Sequence, residues 1–258
     1  MMKTMMKETI LKLFTRKMMM KNVIAETENT DTNVIADTNT SDKKTTNAEG
    51  KPANDKIKIS KEEVAALETE CFPGRIIVAQ TPADVKKGIE YLSMFDMVGI
   101  DTESKPSFKK GKSNKISLLQ IATDECCILF RINLTGITDE IKNFFENRSI
   151  IKIGVSLKDD FLMLHKAATF SPYGFVEIQE LVEKFNIGEK SLQKIYAILF
   201  DKKISKSQRL SNWDAEILSD AQKRYAATDA WASLKIYRAL CNKDITECYR
   251  RRAELTKE

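Results

Sequence analysis

Apolar residues recur with two different spacings between residues 60 and 240, and the spacing distinguishes strands from helices. Short apolar runs that end at polar or turn-forming residues predict five strands. The predicted strands are "RIIVAQ" (75–80), "MVGIDTE" (97–103), "KISLLQIAT" (115–123), "ECCILFRI" (125–132) and "IIKIGVS" (150–156).

Helical spacing, with capping residues at several N-termini, predicts helices around these strands. The predicted helices are "SKEEVAALETE" (60–70), "TPADVKKGIEYLSMF" (81–95), "TDEIKNFFENRS" (138–149), "LKDDFLMLHKAA" (157–168), "SLQKIYAILF" (191–200) and "LSDAQKRYAATDAWASLKIYRAL" (218–240). From Phe175 onward the pattern is mostly helical. Strands that come first, with helices enclosing them, predict an α/β protein with a mixed sheet.

The first part of the chain has a different composition. Residues 1–21 alternate methionine and lysine, and residues 22–58 are polar and poor in aromatic residues, so neither stretch can bury a core of its own. We expect a disordered extension over 1–58, one globular domain over 59–245 and a charged tail over 246–258.

Composition excludes some classes of partner. The net charge of +5 comes largely from the first 21 residues, which carry six basic groups and one acidic group. Nucleic-acid binding would therefore depend on local clusters of lysine and arginine. No apolar run reaches the roughly 18 residues that a membrane span needs, so no membrane partner is expected. A basic amphipathic helix over 1–21 with a membrane-surface or targeting role is the alternative to a disordered extension there. Five cysteines without C-x-x-C spacing predict reduced thiols and a cytoplasmic location.

Two acids end the predicted strand 97–103. Asp101 and Glu103 lie two residues apart, so their side chains leave the same face of the strand, while Thr102 faces away. Two carboxylates on one face repel each other unless a cation lies between them. The pattern indicates a metal site, and a solvated strand end is the alternative interpretation.

Acids also occur at two later positions. Asp159 and Asp160 lie in the first turn of the predicted helix 157–168, where one acid is explained by the helix dipole and the second is not. Tyr225 and Asp229, four residues apart on the last helix, share one face. A core tyrosine hydrogen-bonded to an acid is the alternative there. Other positions of this helix carry small residues that would let it approach a sheet closely: Ala226, Ala227 and Ala230.

The order and spacing of these acids resemble the three motifs of the DEDD 3'-5' exonuclease superfamily in its tyrosine variant. The similarity extends over "GIDTESKPSFKKGKSNKISLLQIAT", "KIGVSLKDD", "ISKSQRLSNW" and "YAATDAWASLKIY". It points to RNase D-type and Werner-type exonucleases, and most of all to small bacterial 3'-5' exonuclease domain proteins. The resemblance implies a ribonuclease H-like fold, in which helices flank a mixed central sheet.

The resemblance also implies roles for individual residues. The four metal ligands fall on Asp101, Glu103, Asp160 and Asp229, and Tyr225 completes the catalytic set by orienting the attacking water. Asp160 is chosen over the adjacent Asp159 because its distance from the preceding strand fits the second motif. The implied cofactors are two Mg²⁺ or Mn²⁺ ions, which prefer oxygen ligands. The implied reaction hydrolyses phosphodiester bonds at single-stranded or frayed nucleic-acid 3' ends and releases nucleoside monophosphates.

Basic and aromatic residues near the acids are candidates for nucleic-acid contact. They are Lys105, Phe108, Lys109, Lys110, Lys112 and Arg209. Trp213 is as well explained by packing, and His165, the only histidine, by a helix surface.

Three other functions compete with an exonuclease. A nuclease scaffold that binds nucleic acid with weak or no turnover would keep the fold. An actin-like ATPase is suggested by "GIDTES", but Ser104, Lys105 and Pro106 stand where that phosphate motif needs glycines. A ribonuclease H-type endonuclease shares the acids without using Tyr225. The sequence does not distinguish DNA from RNA.

Overall fold

A computed structural model of the protein describes residues 56–107 and 114–241. Predictions for most of the N-terminal extension, for Phe108, Lys109, Lys110 and Lys112, and for the charged tail lie outside the described residues. At the start of the described part, Ile57 forms a backbone bridge with Ile187, just before the predicted domain boundary at residue 59.

Six strands form one sheet in the described residues, in the order β1-β4-β3-β2-β5-β6. β3 is antiparallel to both β2 and β4, whereas the pairs β1 with β4, β2 with β5 and β5 with β6 are parallel. The predicted mixed sheet is therefore confirmed. The strands are β1 (Arg75–Ala79), β2 (Met97–Ser104), β3 (Ile116–Ala122), β4 (Cys126–Phe130), β5 (Ile151–Gly154) and β6 (Phe175–Glu177).

Helices flank the sheet, as the sequence predicts. They are α1 (Lys61–Ala66), α2 (Pro82–Leu92), α3 (Ile132–Thr135), α4 (Asp139–Glu146), α5 (Leu157–His165), α6 (Ile178–Leu181), α7 (Leu192–Phe200) and α8 (Asp220–Cys241), with a 3₁₀ helix at Val182–Phe185. Capping boxes begin α1 at Ser60 and α2 at Thr81, which explains why these two starts are visible in the sequence. None of the helices described is long and apolar enough to cross a membrane.

The central strand β2 is covered on both faces. Val98 and Ile100 point into an apolar core that also contains Val85 of α2 and Phe145 of α4. On the other face α8 lies directly against the strand. A Cβ atom on Gly99 would come within 1.9 Å of the Ala230 carbonyl oxygen, so only glycine permits this approach. The close contact brings α8 to the end of β2 where the acids lie.

The sequence pattern misses one strand, at Phe175. The chain there forms the short strand β6, whereas the sequence pattern predicts mostly helix. β6 pairs with β5 from Lys152–Phe175 to Gly154–Glu177, and the Glu177 carboxylate accepts hydrogen bonds from the backbone N–H groups of Ser156 and Leu157. Three residues are too few to show a strand period, so this pairing depends on tertiary contacts.

Candidate active site

Three acids from two elements meet at the end of β2. Asp101 and Glu103 point from the strand toward α8, and Asp229 of that helix lies opposite them. One carboxylate oxygen from each lies within 4.8 Å of the others. The chain folds this way because Gly99, two residues before Asp101, lets α8 approach to contact distance. The structure thus brings together residues that are 128 positions apart.

Asp160, in the first turn of α5, lies near this group: its charge raises the pKa of Asp101, but its carboxylate is not one of the three that lie within 4.8 Å of one another. The turn before it is tight, since Ser156 has a positive φ of 62°, and Glu177 caps the exposed N–H groups there. The hydroxyl of Thr102 donates a hydrogen bond to Oδ1 of Asp160. Thr102 is on the face of β2 opposite Asp101, as predicted. Its role as the hydrogen-bond donor to Asp160 was not predicted. The neighbouring Asp159 is exposed.

The electrostatics of the four acids reflect burial and mutual repulsion. Burial raises the pKa of Asp101 well above its usual range, and the charges of Asp160, Asp229 and Glu103 raise it further. Burial and the charges of Asp229 and Asp160 raise the pKa of Glu103 to about 9. Burial raises the pKa values of Asp160 and Asp229 to about 7. Four carboxyl groups arranged in this way favour either protons or metal cations.

Tyr225 lies one turn before Asp229 on α8. Burial, together with the charges of Asp229 and Glu103, raises the pKa of the Tyr225 hydroxyl, so it stays protonated at neutral pH. A hydrogen bond from Tyr225 opposes the rise in the pKa of Asp229. The ring of Trp213, which is 0 % exposed, lies 6.0 Å from the Tyr225 ring. Trp213 therefore packs behind the site.

Basic side chains surround the acids in the described residues. The charge of Arg209 lowers the pKa of Glu103 against the larger effect of burial, and the charge of Lys206 does the same for Asp229. Lys206 also donates a hydrogen bond to Ser191 at 3.0 Å. Lys105 is exposed just after β2. The sequence interpretation included Arg209 and Lys105 but missed Lys206, which the motif "ISKSQRLSNW" contains.

A polar network holds residues 214–216, which follow the segment that carries Lys206 and Arg209. The guanidinium of Arg131, which is 0 % exposed, donates to the carbonyls of Ala215 and Glu216. Ser117 donates to Asp214 at 2.7 Å and accepts from the Lys105 N–H at 3.3 Å. Sequence reasoning missed this network because its members are 12 to 97 positions apart. An isolated buried arginine at a strand end is the local signal that could have revealed it.

His165, in contrast, takes no part in the cluster. Its side chain is exposed on α5, and its ring stacks near Phe161 and Phe170.

The donor set fits hard divalent cations. Carboxylate oxygens are the ligands that Mg²⁺ and Mn²⁺ prefer, and three of them lie within 4.8 Å of one another. None of the four acids forms an ion pair with a lysine or arginine in the part of the chain that the structure describes. Their oxygens are therefore not occupied by a cationic side chain of the described residues and are available as metal ligands.

Fold and site together define an α/β protein with a ribonuclease H-like architecture and an acidic cluster at the end of its central strand. Comparison with known proteins gives the family. Residues 76–244 match the family described as 3'-5' exonuclease, and the chain belongs to that family. The family is divalent-metal dependent, in agreement with the acidic cluster.

Two relatives in sequence carry exonuclease names. The bifunctional 3'-5' exonuclease/ATP-dependent helicase WRN of Mus musculus is 35% identical over 181 residues, which are 66% of this chain and 13% of the relative. A 3'-5' exonuclease of Arabidopsis thaliana is 30% identical over 185 residues, which are 66% of this chain and 64% of the relative. This chain therefore matches less than two thirds of either relative.

Solved structures confirm the predicted fold. The Aedes aegypti Nibbler EXO domain superposes with a TM-score of 0.61 at 21% identity and covers 70% of this chain and 100% of that domain. Escherichia coli RNase D, an exoribonuclease involved in structured RNA processing, gives a TM-score of 0.57 at 18% identity, covering 69% of this chain and 50% of RNase D.

Proposed function

We propose that this protein is a 3'-5' exonuclease that hydrolyses the terminal phosphodiester bond of nucleic acids and releases nucleoside monophosphates. The proposal is supported by the membership of residues 76–244 in the exonuclease family. The single observation that carries it is the convergence of the Asp101, Glu103 and Asp229 carboxylates within 4.8 Å, with Asp160 close enough to raise the pKa of Asp101.

Asp101, Glu103, Asp160 and Asp229 would hold two Mg²⁺ or Mn²⁺ ions. When bound, such ions polarise the scissile phosphate, activate the attacking water and stabilise the departing oxygen. The four carboxylates neutralise the excess positive charge of the ions and fix their positions. The Thr102 hydroxyl fixes the Asp160 carboxylate at the end of β2 through its hydrogen bond.

Tyr225 would orient the attacking water. Its raised pKa keeps the phenol neutral, so it does not act as a base at neutral pH, and because its one O–H donates to Asp229 its oxygen would accept a hydrogen bond from the water. Packing of Trp213 against the tyrosine ring limits its rotation.

Basic side chains would bind the substrate backbone. Arg209 and Lys206 lie close enough to the acids to affect their pKa values, so a phosphate at the metal centre would come within their reach. Lys105 continues the basic surface past β2, and Phe108, Lys109, Lys110 and Lys112 stay predictions of the sequence. A site of this kind favours a single-stranded or frayed 3' end, and a cytoplasmic location stays a prediction from the cysteine pattern.

Labelled oligonucleotides test the proposed reaction. With Mg²⁺ or Mn²⁺, 5'-labelled DNA or RNA should shorten by single nucleotides, and 3'-labelled substrate should release the label as a mononucleotide at once. Chelator should stop both. Comparison of DNA with RNA identifies the preferred sugar.

Asp101→Ala is the matched inactive variant. If wild type binds oligonucleotide without shortening it, or if Asp101→Ala is as active as wild type, the proposed function is wrong. Label released as internal fragments would indicate an endonuclease instead.

A further inference from the structure

A buried glutamine beside the acidic cluster has no hydrogen-bond partner. Gln120, in the middle of β3, is 0 % exposed. Neither its Nε2 nor its Oε1 atom has a partner among the residues that the structure describes. An unpaired buried amide destabilises a fold, whereas an apolar side chain of similar size would not. Packing alone therefore does not account for glutamine at this position.

The neighbours of Gln120 in the sheet indicate what it serves. Its cross-strand partners are Asp101 of β2 on one side and Leu129 of β4 on the other. The nearest residues on the same face of its own strand are Leu118 and Ala122. Asp101 is thus the polar member of these four neighbours. Directly opposed residues in antiparallel strands have Cβ atoms about 4.5–5.5 Å apart, which is within reach of a glutamine amide.

Asp101 differs from two other acids of the cluster in its hydrogen bonding. Asp160 accepts a hydrogen bond from the Thr102 hydroxyl, and Asp229 is hydrogen-bonded to Tyr225. In the described part of the chain no side chain donates to Asp101, and the hydrogen bond that affects its pKa comes from the Thr102 backbone. Carboxylates that bind metal are usually held in place by a hydrogen-bond donor behind them.

We propose that Gln120 is a positioning residue: its Nε2, which has no partner among the described residues, donates a hydrogen bond to the Asp101 carboxylate when cations bind and sets the orientation of that carboxylate. The inference rests on the proposed function, because it takes Asp101 to be a metal ligand. A neutral amide suits the task. It supplies a donor without a positive charge that would compete with the cation, and without a further negative charge among four carboxylates.

Gln120→Met tests the role, because methionine has a similar length and no strong donor. Mn²⁺ affinity of the chelator-treated protein, measured by electron paramagnetic resonance, should fall about 10–100-fold. The melting temperature in chelator should stay unchanged or rise, since an unpaired buried amide is removed. A purely structural glutamine would give the opposite pattern, with a lower melting temperature and wild-type Mn²⁺ affinity. That pattern would overturn the proposal.

Leu119→Met is the matched control. Leu119 is also 0 % exposed, but it lies on the opposite face of β3, where its cross-strand partners are Thr102 and Phe130. This variant should bind Mn²⁺ as wild type does. Equal losses in the two variants would overturn the proposal, because they would reflect disturbance of the strand and not of Asp101.

Nuclear magnetic resonance of the wild-type protein gives a readout that needs no variant at position 120. The side-chain NH₂ resonances of Gln120, assigned through bonds, should shift on saturation with diamagnetic Mg²⁺. Unchanged resonances at saturation would overturn the proposal even if Gln120→Met failed to fold. Absence of any Mn²⁺ binding by wild type would instead refute the metal site itself, so the two failures are distinguishable.

Discussion

Helix α8 carries acid-containing sites of two opposite kinds. Near its middle, Asp229 joins Asp101, Glu103 and Asp160, and burial raises the pKa of all four. Six residues later, Lys235 binds Glu70. The two helix positions are about 9 Å apart along the axis and point in different directions.

The Glu70 site is fully compensated. The Lys235 ammonium lies 3.0 Å from both oxygens of Glu70 and 2.7 Å from the Tyr196 hydroxyl, which itself donates to Glu70. Burial raises the pKa of Glu70, but the hydrogen bonds from Tyr196 and Lys235 lower it more, and the net shift is downward. The rings of Phe200 and Trp231 lie 4.5 Å and 4.7 Å from the ammonium.

This difference in charge compensation distinguishes a site that stabilises the fold from a site that binds a ligand. The Glu70 carboxylate is paired with Lys235 and so connects the segment before β1 to α8. Its charge is already balanced and is not available to a ligand. Carboxylates without a built-in cation destabilise the metal-free fold and bind mobile cations. The same helix therefore contains one site that holds the fold together and one that we propose for catalysis.

The largest expected effect distinguishes two adjacent acids, Asp160 of the acidic cluster and the exposed Asp159. Asp160→Asn should lower the exonuclease rate by about 10³-fold, because loss of a metal ligand removes roughly 4 kcal/mol of transition-state stabilisation. Asp159→Asn, one residue away and exposed, should change the rate less than about twofold. Rates are measured on a 5'-labelled oligonucleotide. Equal losses in both variants would remove the distinction between Asp159 and Asp160.

Disrupting the Glu70 site should lower the stability of the protein without changing its exonuclease rate. Lys235→Met should lower the free energy of unfolding by about 2 kcal/mol, since it leaves Glu70 partly buried without its cation and removes the contacts with the aromatic rings. Urea unfolding measures the change. The exonuclease rate per folded molecule should match that of wild type, and a large loss of rate would show that the two sites are coupled.

The pH dependence of stability should have opposite signs at the two sites. Acids whose pKa is raised in the folded protein contribute stability below about pH 4, and this contribution is lost as the pH rises through the folded-state pKa. That pKa is about 7 for Asp160 and Asp229 and about 9 for Glu103. In chelator the melting temperature should therefore fall between pH 5 and pH 9, by about 2–4 °C for each kcal/mol lost. Glu70, with a lowered pKa, loses its contribution only as pH falls below its usual range near 4.5.

Mg²⁺ provides the control for this prediction. Saturating Mg²⁺ should flatten the fall at high pH, because the ions replace protons as the compensating charge. A melting temperature in chelator that rises from pH 5 to pH 9 would contradict the prediction that the four carboxylates lack a compensating positive charge in the metal-free protein.

The smallest expected effect concerns substrate binding. Lys206→Met should raise the KM for an oligonucleotide about fivefold, since one phosphate contact is lost, and should reduce the slope of log KM against log salt by about 1. Lys223→Met, which changes an exposed Lys–Asp pair at the start of α8, is the control. An unchanged salt slope in Lys206→Met would exclude a phosphate contact.

Residues that act through local spacing could be predicted from the sequence. Asp101 and Glu103 end an apolar strand, and Tyr225 and Asp229 share a helix face, so each pair is visible in a window of a few residues. The mixed sheet and its flanking helices follow from the same windows. Capping boxes fix two helix starts for the same reason.

Residues that act through distant contacts could not be predicted from the sequence. Thr102 points away from Asp101 in the strand pattern, and its bond to Asp160 exists only because α5 packs beside the end of β2. β6 is a three-residue strand whose identity depends on pairing with β5. The contact of Gly99 with the Ala230 carbonyl, which brings Asp229 into the cluster, involves a glycine that a local pattern treats as neutral.

The most direct test of the acidic centre is the number of Mn²⁺ ions that bind to the chelator-treated protein, measured by isothermal titration calorimetry at neutral pH. We expect two ions per chain for wild type and for Glu70→Gln, and loss of at least one ion in Asp229→Asn. Folded wild-type protein that binds no Mn²⁺, or Asp229→Asn that binds both ions with wild-type affinity, would contradict this expectation.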